Sequence, residues 1–526
     1  MSSAHDTSAT LRESVPASRV RVVKDLPPRT GADGYVLYWM IAARRTSHSF
    51  ALQRARAWAE ELRRPLLVLE PLRAGYRWAA DRHHVFVLQG MADQRARLEA
   101  AGVRYLPYAE PEPGAGQGLL AALAERAAVV ITDDYPAFFL PRMIAAAGRQ
   151  LGTRLEAIDG NGLFPMRSTE RVFTRAHSFR AHLQRELPAC LEHVPRPDPL
   201  AGYRLGLAKP PRSVLQRWPL LDEARLREPE RLAAALPIDH APAPVSWAVG
   251  GERAGTRRLA SFLDEGLARY VDERNHPDAD AGSGLSPWLH FGHVSTHQVL
   301  YELARREDWT PAQLGPAQGG SREGFWGTSA AAEAFLDELV TWRELGFNYC
   351  AQRDDVDRYE SLPEWARQTM AEHAGDPRPH LYELDALQEA RTADPLWNAA
   401  QRQLLREGRI HNYLRMLWGK KIYEWSPSGQ EALARMIELN NRWCLDGRDP
   451  NSYSGISWVL GRYDRAWGPE RPIFGKLRYM TSSSTQRKLR LREYLDRFGE
   501  EPGEAKAGAT KTKKSRAAGR GRAVSA

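Results

Sequence analysis

Between residues 35 and 158, short apolar runs of strand length alternate with stretches whose apolar residues recur at helical spacing. This alternation limits the fold more than any other feature of the chain. The run at 35–41, YVLYWMI, is apolar at every position, and so is PLLVL at 65–69. A half-exposed strand would alternate; an unbroken apolar run belongs in a sheet covered on both faces. The pattern predicts strands over 35–41, 65–69, 84–88, 103–108, 128–132 and 154–158. It predicts helices over 47–62, 91–101, 119–127 and 136–151. Strands separated by helices build βαβ units, and these build a mostly parallel sheet.

The expected first domain, 31–163, is therefore α/β, a doubly wound parallel sheet of the Rossmann-like kind. Such a sheet binds ligands at the carboxyl ends of its strands. No GxGxxG fingerprint or Walker loop names the ligand. Residues 1–30 read as a flexible leader. Residues 164–250 are Pro-rich, with PRPDP, KPP and IDHAPAPV after a helical stretch at 170–187, and read as an interdomain connection. From 251 to 498 the pattern is all-α, with helices expected at 255–273, 294–305, 329–350, 382–392, 395–407, 411–425, 427–444 and 484–498. The Gly-rich stretch 308–328 reads as a loop, and 446–480 as loop-rich. Residues 499–526 read as a basic disordered tail.

Composition excludes several classes. Mean hydropathy is −0.53, and no apolar run reaches the roughly 18 residues of a spanning helix. The N-terminus lacks the apolar core of a signal peptide. The three cysteines, Cys190, Cys350 and Cys444, form no CxxC pair, so neither a disulfide framework nor a zinc site is expected. The chain reads as soluble and intracellular, with no membrane partner. Net charge is +9, and residues 501–526 carry seven basic side chains against two acidic ones. A basic excess favours a polyanion such as DNA. Sixteen tryptophans are a surplus that serves core packing, base stacking or electron passage.

Five stretches carry candidate chemistry. GSGLSPWLHFG at 282–292 puts glycines and hydroxyls before a helical segment, a pattern suited to a pyrophosphate or to a plain helix entry. Glu338 and Trp342 are spaced i,i+4, on one face of a regular helix. In HNYLRMLWGKKIYEW, Arg415 stands one turn before Trp418, and Trp425 is two turns beyond it; Trp397 lies on the preceding helix. That spacing suits electron hopping and equally a core stripe. LNNRWCLDGRDPNSYSGISW, 439–458, crowds polar residues that need a ligand or a buried network. DRAWGPERPIFGKLRYM, 464–480, interleaves basic and aromatic residues, as phosphates and unstacked bases require.

Taken in order, HNYLRMLWGKKIYEWS, LNNRWCLDGRDPNSYSGISWVLGRYDRAW and RPIFGKLRYM closely resemble the photolyase/cryptochrome superfamily, and within it class II cyclobutane pyrimidine dimer DNA photolyases. The resemblance spans roughly 33–495 and is strongest over 395–480. It implies an N-terminal α/β antenna domain and a helical domain that holds FAD, reduced in its active form. It implies light-driven electron donation to a pyrimidine dimer flipped out of double- or single-stranded DNA. By resemblance, Tyr270, Ser283, Leu285 and Ser286 surround the FAD phosphates and ribose. Gly282 stands where many relatives have threonine. Arg415 and Asp446 match a salt-bridged pair beside the flavin ring. Asn440 or Asn451 matches the side chain near flavin N5. Trp418 and Trp397, with Trp425 as a side branch, match the tryptophans that photoreduce oxidised flavin. Glu338, Trp342 and Trp458 match the dimer pocket; Lys476 and Arg478 match the loop that fills the duplex gap and holds phosphates.

The resemblance also implies an antenna chromophore, a deazaflavin or a folate, which no motif selects. It is compatible with a monomer working on DNA in the cell. Two other functions fit the same sequence: a cryptochrome-like blue-light photoreceptor without repair, and a basic DNA-binding flavoprotein. The pocket residues Glu338, Trp342 and Trp458 favour repair.

Overall fold

The computed structural model describes residues 14–30 and 34–499. Six strands form one sheet in the order β1-β6-β5-β2-β3-β4. They are β1 (Val20–Lys24), β2 (Tyr35–Trp39), β3 (Leu66–Leu72), β4 (Arg104–Ala109), β5 (Ala127–Asp133) and β6 (Arg154–Ile158). Strands β2 to β6 run parallel, and β1 closes one edge antiparallel to β6. Helices α1 (Phe50–Leu62), α2 (Asp81–Ala100), α3 (Leu119–Ala124) and α4 (Leu140–Gln150) cover the faces. The unbroken apolar runs now have their reason. In β2, Tyr35, Leu37 and Trp39 enter a core with Leu119, Leu123 and Ile144, while Val36 and Tyr38 enter another with Phe50, Leu52 and Trp58.

Three expectations need correction in this part of the chain. Residues 84–88 are not a strand but lie inside α2. An apolar run of five residues looks alike in a strand and in a helix buried on all sides, and His84, Val85, Phe86, Val87 and Leu88 are all buried. The span 1–30 is not leader throughout, because Val20–Lys24 pairs with β6; residues 1–13 lie outside the described residues. Arg21 on this charged edge strand reaches Asp134 at 2.8 Å. The helical stretch expected at 170–187 is α5 (Ala176–Leu191), which carries Pro188 inside it.

The remainder is helical: α6 (Glu252–Ser261), α7 (Thr296–Glu307), α8 (Arg343–Gln352), α9 (Pro395–Glu407), α10 (Asn412–Glu424), α11 (Gly429–Trp443) and α12 (Pro450–Val459). Of 382–392, only Leu384–Gln388 is helical, and 484–498 divides into Ser482–Lys488 and Arg492–Phe498. The tail beyond 499 lies outside the described residues. Helix α12 corrects the reading of 446–480 as loop. Its start is Asp449-Pro450-Asn451, which resembles a turn by composition. Asp449 is in fact the N-cap, its Oδ1 accepting from Asn451 N at 2.9 Å, with Pro450 at the first helical position.

Buried arginine joins the two parts. Arg82 of α2 donates to the carbonyls of Ala243 and Leu404, at 2.9 and 3.2 Å, and to that of Trp443. Leu404 and Trp443 stand in the last turns of α9 and α11, where backbone carbonyls run short of intrahelical donors.

Candidate functional site

Helices α10, α11 and α12 pack on one another, and α8 packs on α12. This cluster brings most of the singled-out residues together. On α10, Arg415 faces the α11–α12 turn. Its Nη2 lies 3.9 Å from Asp446 Oδ1 and 3.7 Å from Cys444 Sγ, while the Cys444 thiol donates to Asp446 at 2.7 Å. Burial drives the Cys444 thiol well above its ordinary range, and the Asp446 charge adds to the shift. Burial lowers the Arg415 pKa, but the neighbouring thiol and carboxylates outweigh it and raise the value overall.

Asn440 of α11 is 5% exposed. Its Nδ2 donates to Asn441 Oδ1 at 3.1 Å, and no described residue donates to its oxygen. Asn451 is more committed. Its Nδ2 donates to Asp449 at 3.0 Å, and its Oδ1 lies 2.8 Å from where a Cβ on Gly346 would be.

These residues pass a simple test for a flat, heteroatom-edged ligand such as a flavin. Arg415 has five N–H donors; Nη2 reaches the Cys444 sulfur at 3.7 Å, and Asp446 at 3.9 Å lies beyond good hydrogen-bond range. The Arg415 side chain is 29% exposed. The Asn440 side-chain oxygen accepts no hydrogen bond from a described residue. Both groups have hydrogen-bonding capacity that the protein leaves unused.

The hydroxyl-rich loop before Ser286 is held from behind. Arg258 of α6 donates from Nε to Ser283 O at 2.7 Å and from Nη2 to Gly282 O at 3.1 Å. No local pattern singles out Arg258, because nothing within 252–261 pairs it with 282–283. It places a guanidinium under the loop, a setting suited to phosphate. Leu285 is buried, Ser283 is half-buried and Ser286 is exposed at the start of a short helix. Tyr270 is buried against Phe262 and Phe335, with ring centroids at 5.7 and 5.6 Å; burial pushes its hydroxyl up.

Glu338 and Trp342 sit in a segment that departs from the expected regular helix. Over Asp337–Trp342 it is a π-helix, with Arg343 N bonding back to Glu338 O. The wider turn takes the pair off the strict i,i+4 register, and π segments recur at functional sites. Asp337 is consumed by Arg180, with bonds of 2.6 and 2.9 Å. The Glu338 carboxyl makes no hydrogen bond among the described residues. Burial raises its pKa, with Arg274 opposing. Trp342 stacks on Trp458 of α12, with centroids 4.7 Å apart and planes 13° apart. The Trp458 Nε1 is buried and unpartnered. A half-buried carboxyl on the same segment as an aromatic wall can hydrogen-bond a flat base that the wall packs.

Trp397, Trp418 and Trp425 are all buried. Trp397 Nε1 donates to Trp418 O at 3.0 Å, and its ring meets Trp425 edge-on at 5.4 Å. The loop with Lys476 and Arg478 is folded by a bridge between Arg471 and Gly475. Its exposed Trp467 is flanked by Arg465 at 5.4 Å and Arg478 at 5.7 Å. Lys476 pairs with Glu470 at 3.1 Å, an exposed pair that is cheap to break.

A second locus lies where the sheet predicted one, at the carboxyl ends of β2, β3 and β5. A cleft of about 760 Å³, counted to its open mouth, is lined by Arg44, Arg73, Tyr76, Phe138, Phe139 and Arg448 among others. At its floor, Asp449 Oδ2 accepts from Tyr135 at 3.0 Å and contacts His290 Nδ1 at 3.2 Å. Burial alone raises the Asp449 pKa, but His290, Arg343 and the Asn451 N–H override it and hold it at about 2. The same carboxylate caps α12, so cleft and helix share one anchor. Sequence reasoning missed Tyr135 and His290, which only the fold brings to Asp449. Among the described residues there is no helix long and apolar enough to cross a membrane, and no cluster that could hold a metal ion.

Known proteins match this arrangement along nearly the whole chain. The deoxyribodipyrimidine photo-lyase of Methanothermobacter thermautotrophicus is 32% identical over 467 residues, covering 88% of this chain and 94% of the relative. Those of Arabidopsis thaliana and Potorous tridactylus are each 31% identical, over 494 residues (92% of each chain) and 483 residues (90% and 83%). In fold, the chain is similar to a bacterial class III photolyase from Agrobacterium tumefaciens, with TM-score 0.63 and 16% identity over 89% of this chain and 87% of that one. It is similar to a Synechocystis cryptochrome, with TM-score 0.62 and 15% identity over 89% of both. No family model matches the chain. With this identity sustained across both the sheet and the helices that carry the candidate residues, the chain belongs to the deoxyribodipyrimidine photo-lyase family.

Proposed function

We propose that this protein is a class II DNA photolyase that binds FAD and repairs cyclobutane pyrimidine dimers with light. The observation that carries the reading is the Trp342–Trp458 stack, with the half-buried, unbonded Glu338 carboxyl on the same π-helical segment as Trp342, because an aromatic wall and a free carboxyl together suit a flat base. Reduced FAD, when bound, supplies the photochemistry: it absorbs light and lends an electron to the dimer. The protein's part is to position and exclude. Arg258 steadies the 282–286 loop for the FAD phosphates, with Ser283, Leu285, Ser286 and Tyr270 around it. Arg415 and Asp446 flank the flavin ring. Asn440 takes the place beside N5, since the Asn451 side-chain amide already donates to Asp449.

On the DNA side, Glu338 hydrogen-bonds a pyrimidine edge while Trp342 and Trp458 pack the two damaged bases. A damaged site is weakly stacked and flips at less cost than an intact one. Arg478 and Lys476 enter the gap left in the duplex. The cleft at the sheet's carboxyl end, apolar and aromatic with arginines at its rim, suits a flat conjugated antenna chromophore of the deazaflavin or folate kind.

The DNA-binding half of this reading is tested with oligonucleotides carrying one thymine dimer. Wild type binds the damaged duplex more tightly than the intact one. Arg478→Ala raises Kd for damaged duplex by about tenfold, or roughly 1.4 kcal/mol, and for a damaged single strand by much less. Equal losses on both substrates would remove Arg478 from the gap. Equal wild-type affinity for damaged and intact duplex would overturn the dimer pocket.

A further inference from the structure

Trp418 is gripped from two sides by one face of α9. Trp397 and Gln401 are spaced i,i+4 on that helix and share a face. Trp397 Nε1 donates to the Trp418 carbonyl at 3.0 Å, and Gln401 Oε1 accepts from Trp418 Nε1 at 2.9 Å. Gln401 is 0% exposed. Its amide cannot be turned over, because Nε2 donates to Gln388 O at 3.1 Å. An indole N–H only donates and a carbonyl only accepts, so both partners fix the same orientation. The network continues as Gln388 Oε1 accepts from Arg442 at 2.8 Å and from Trp443 Nε1 at 3.3 Å.

We infer that Gln401 is a positioning residue for photoreduction, holding the Trp418 indole in place and keeping its proton on the ring while an electron leaves. The inference rests on the reading of Trp418 as the electron donor. In that reading, Trp418 gives one electron to the light-excited oxidised flavin and becomes an indole radical cation. Loss of the N–H proton at this stage would trap the hole on Trp418. A carboxamide oxygen stabilises the positive N–H but is too weak a base to remove the proton. Trp397 therefore returns an electron to Trp418, and the hole moves on toward Trp425. An added thiol donates the electron that restores the chain. No bond other than the hydrogen bond to Gln401 needs to strengthen, and no proton moves at Trp418.

The test uses holoprotein with oxidised FAD, a thiol reductant and blue light, and compares Gln401→Met, Gln401→Glu and Trp418→Phe with wild type. The readouts are the photoreduction rate and the transient absorption of the indole radical, which distinguishes the protonated cation from the neutral radical. Gln401→Met strands a buried N–H and frees the ring; its photoreduction falls about fivefold. Gln401→Glu keeps the shape but offers a base, and the neutral radical appears early. FAD content and melting temperature report folding, and the isosteric Gln401→Glu carries the test if Gln401→Met does not fold. Wild-type rates and radical spectra in both Gln401 variants, with Trp418→Phe slow, would overturn the inference alone. Wild-type photoreduction in Trp418→Phe would overturn the reading beneath it.

Discussion

Trp418→Phe protein is expected to photoreduce its flavin at least about tenfold more slowly than wild type, a barrier increase of about 1.4 kcal/mol or more. The same variant, once reduced chemically, is expected to repair dimers at close to the wild-type rate. Phenylalanine fills much of the indole's volume but gives up an electron far less readily. Trp418 is buried in the α9–α10 contact, and its replacement removes the Gln401 hydrogen bond without opening the pocket to water. The two assays separate two uses of the flavin. On the proposed reading, electrons reach the flavin through Trp418, whereas the dimer that takes one is held by Glu338, Trp342 and Trp458. Illumination with a thiol, followed by flavin absorbance, checks the first. Equal photoreduction in variant and wild type would remove Trp418 from the route.

Trp458→Ala is expected to raise Kd for dimer-containing DNA roughly thirtyfold while leaving binding to intact duplex nearly unchanged. Stacking of a base on an aromatic ring is worth about 1–3 kcal/mol, and about 2 kcal/mol gives that factor. Removing this indole also leaves Trp342 without its 4.7 Å neighbour, so the whole wall is lost rather than one half. On the proposed reading, intact duplex is held through its phosphates by the basic loop rather than by the stack. Trp458→Phe restores a flat surface and most of the affinity. An equal loss on damaged and intact duplex would show that Trp458 supports the fold rather than the pocket.

What could be read from the sequence follows from the physics of each signal. The parallel sheet was legible because strands covered on both faces are apolar at every position, as in β2. The same signal misled at 84–88, where a helix wedged between the sheet and the helical part is equally apolar. Helix α12 was hidden because Asp-Pro-Asn opens a helix and a turn with the same residues; only the fold shows that Asp449 caps. The Arg415–Asp446 pairing was legible from motif wording, since the two lie on neighbouring elements. Arg258, Tyr135, His290 and Gln401 were not, because each acts on a residue distant in sequence and no local pattern records that contact. The π-helical widening at Asp337–Trp342 also leaves no periodic trace in so short a segment.

The most direct test of repair mixes chemically reduced holoprotein with an oligonucleotide carrying one thymine dimer, under blue light and in darkness, and follows the return of thymine absorbance. The expected result is recovery in the light, none in the dark, and many dimers restored per protein molecule. No recovery in the light, with FAD bound and reduced and the dimer bound, would contradict a repair enzyme and leave a photoreceptor or a DNA-binding flavoprotein in its place.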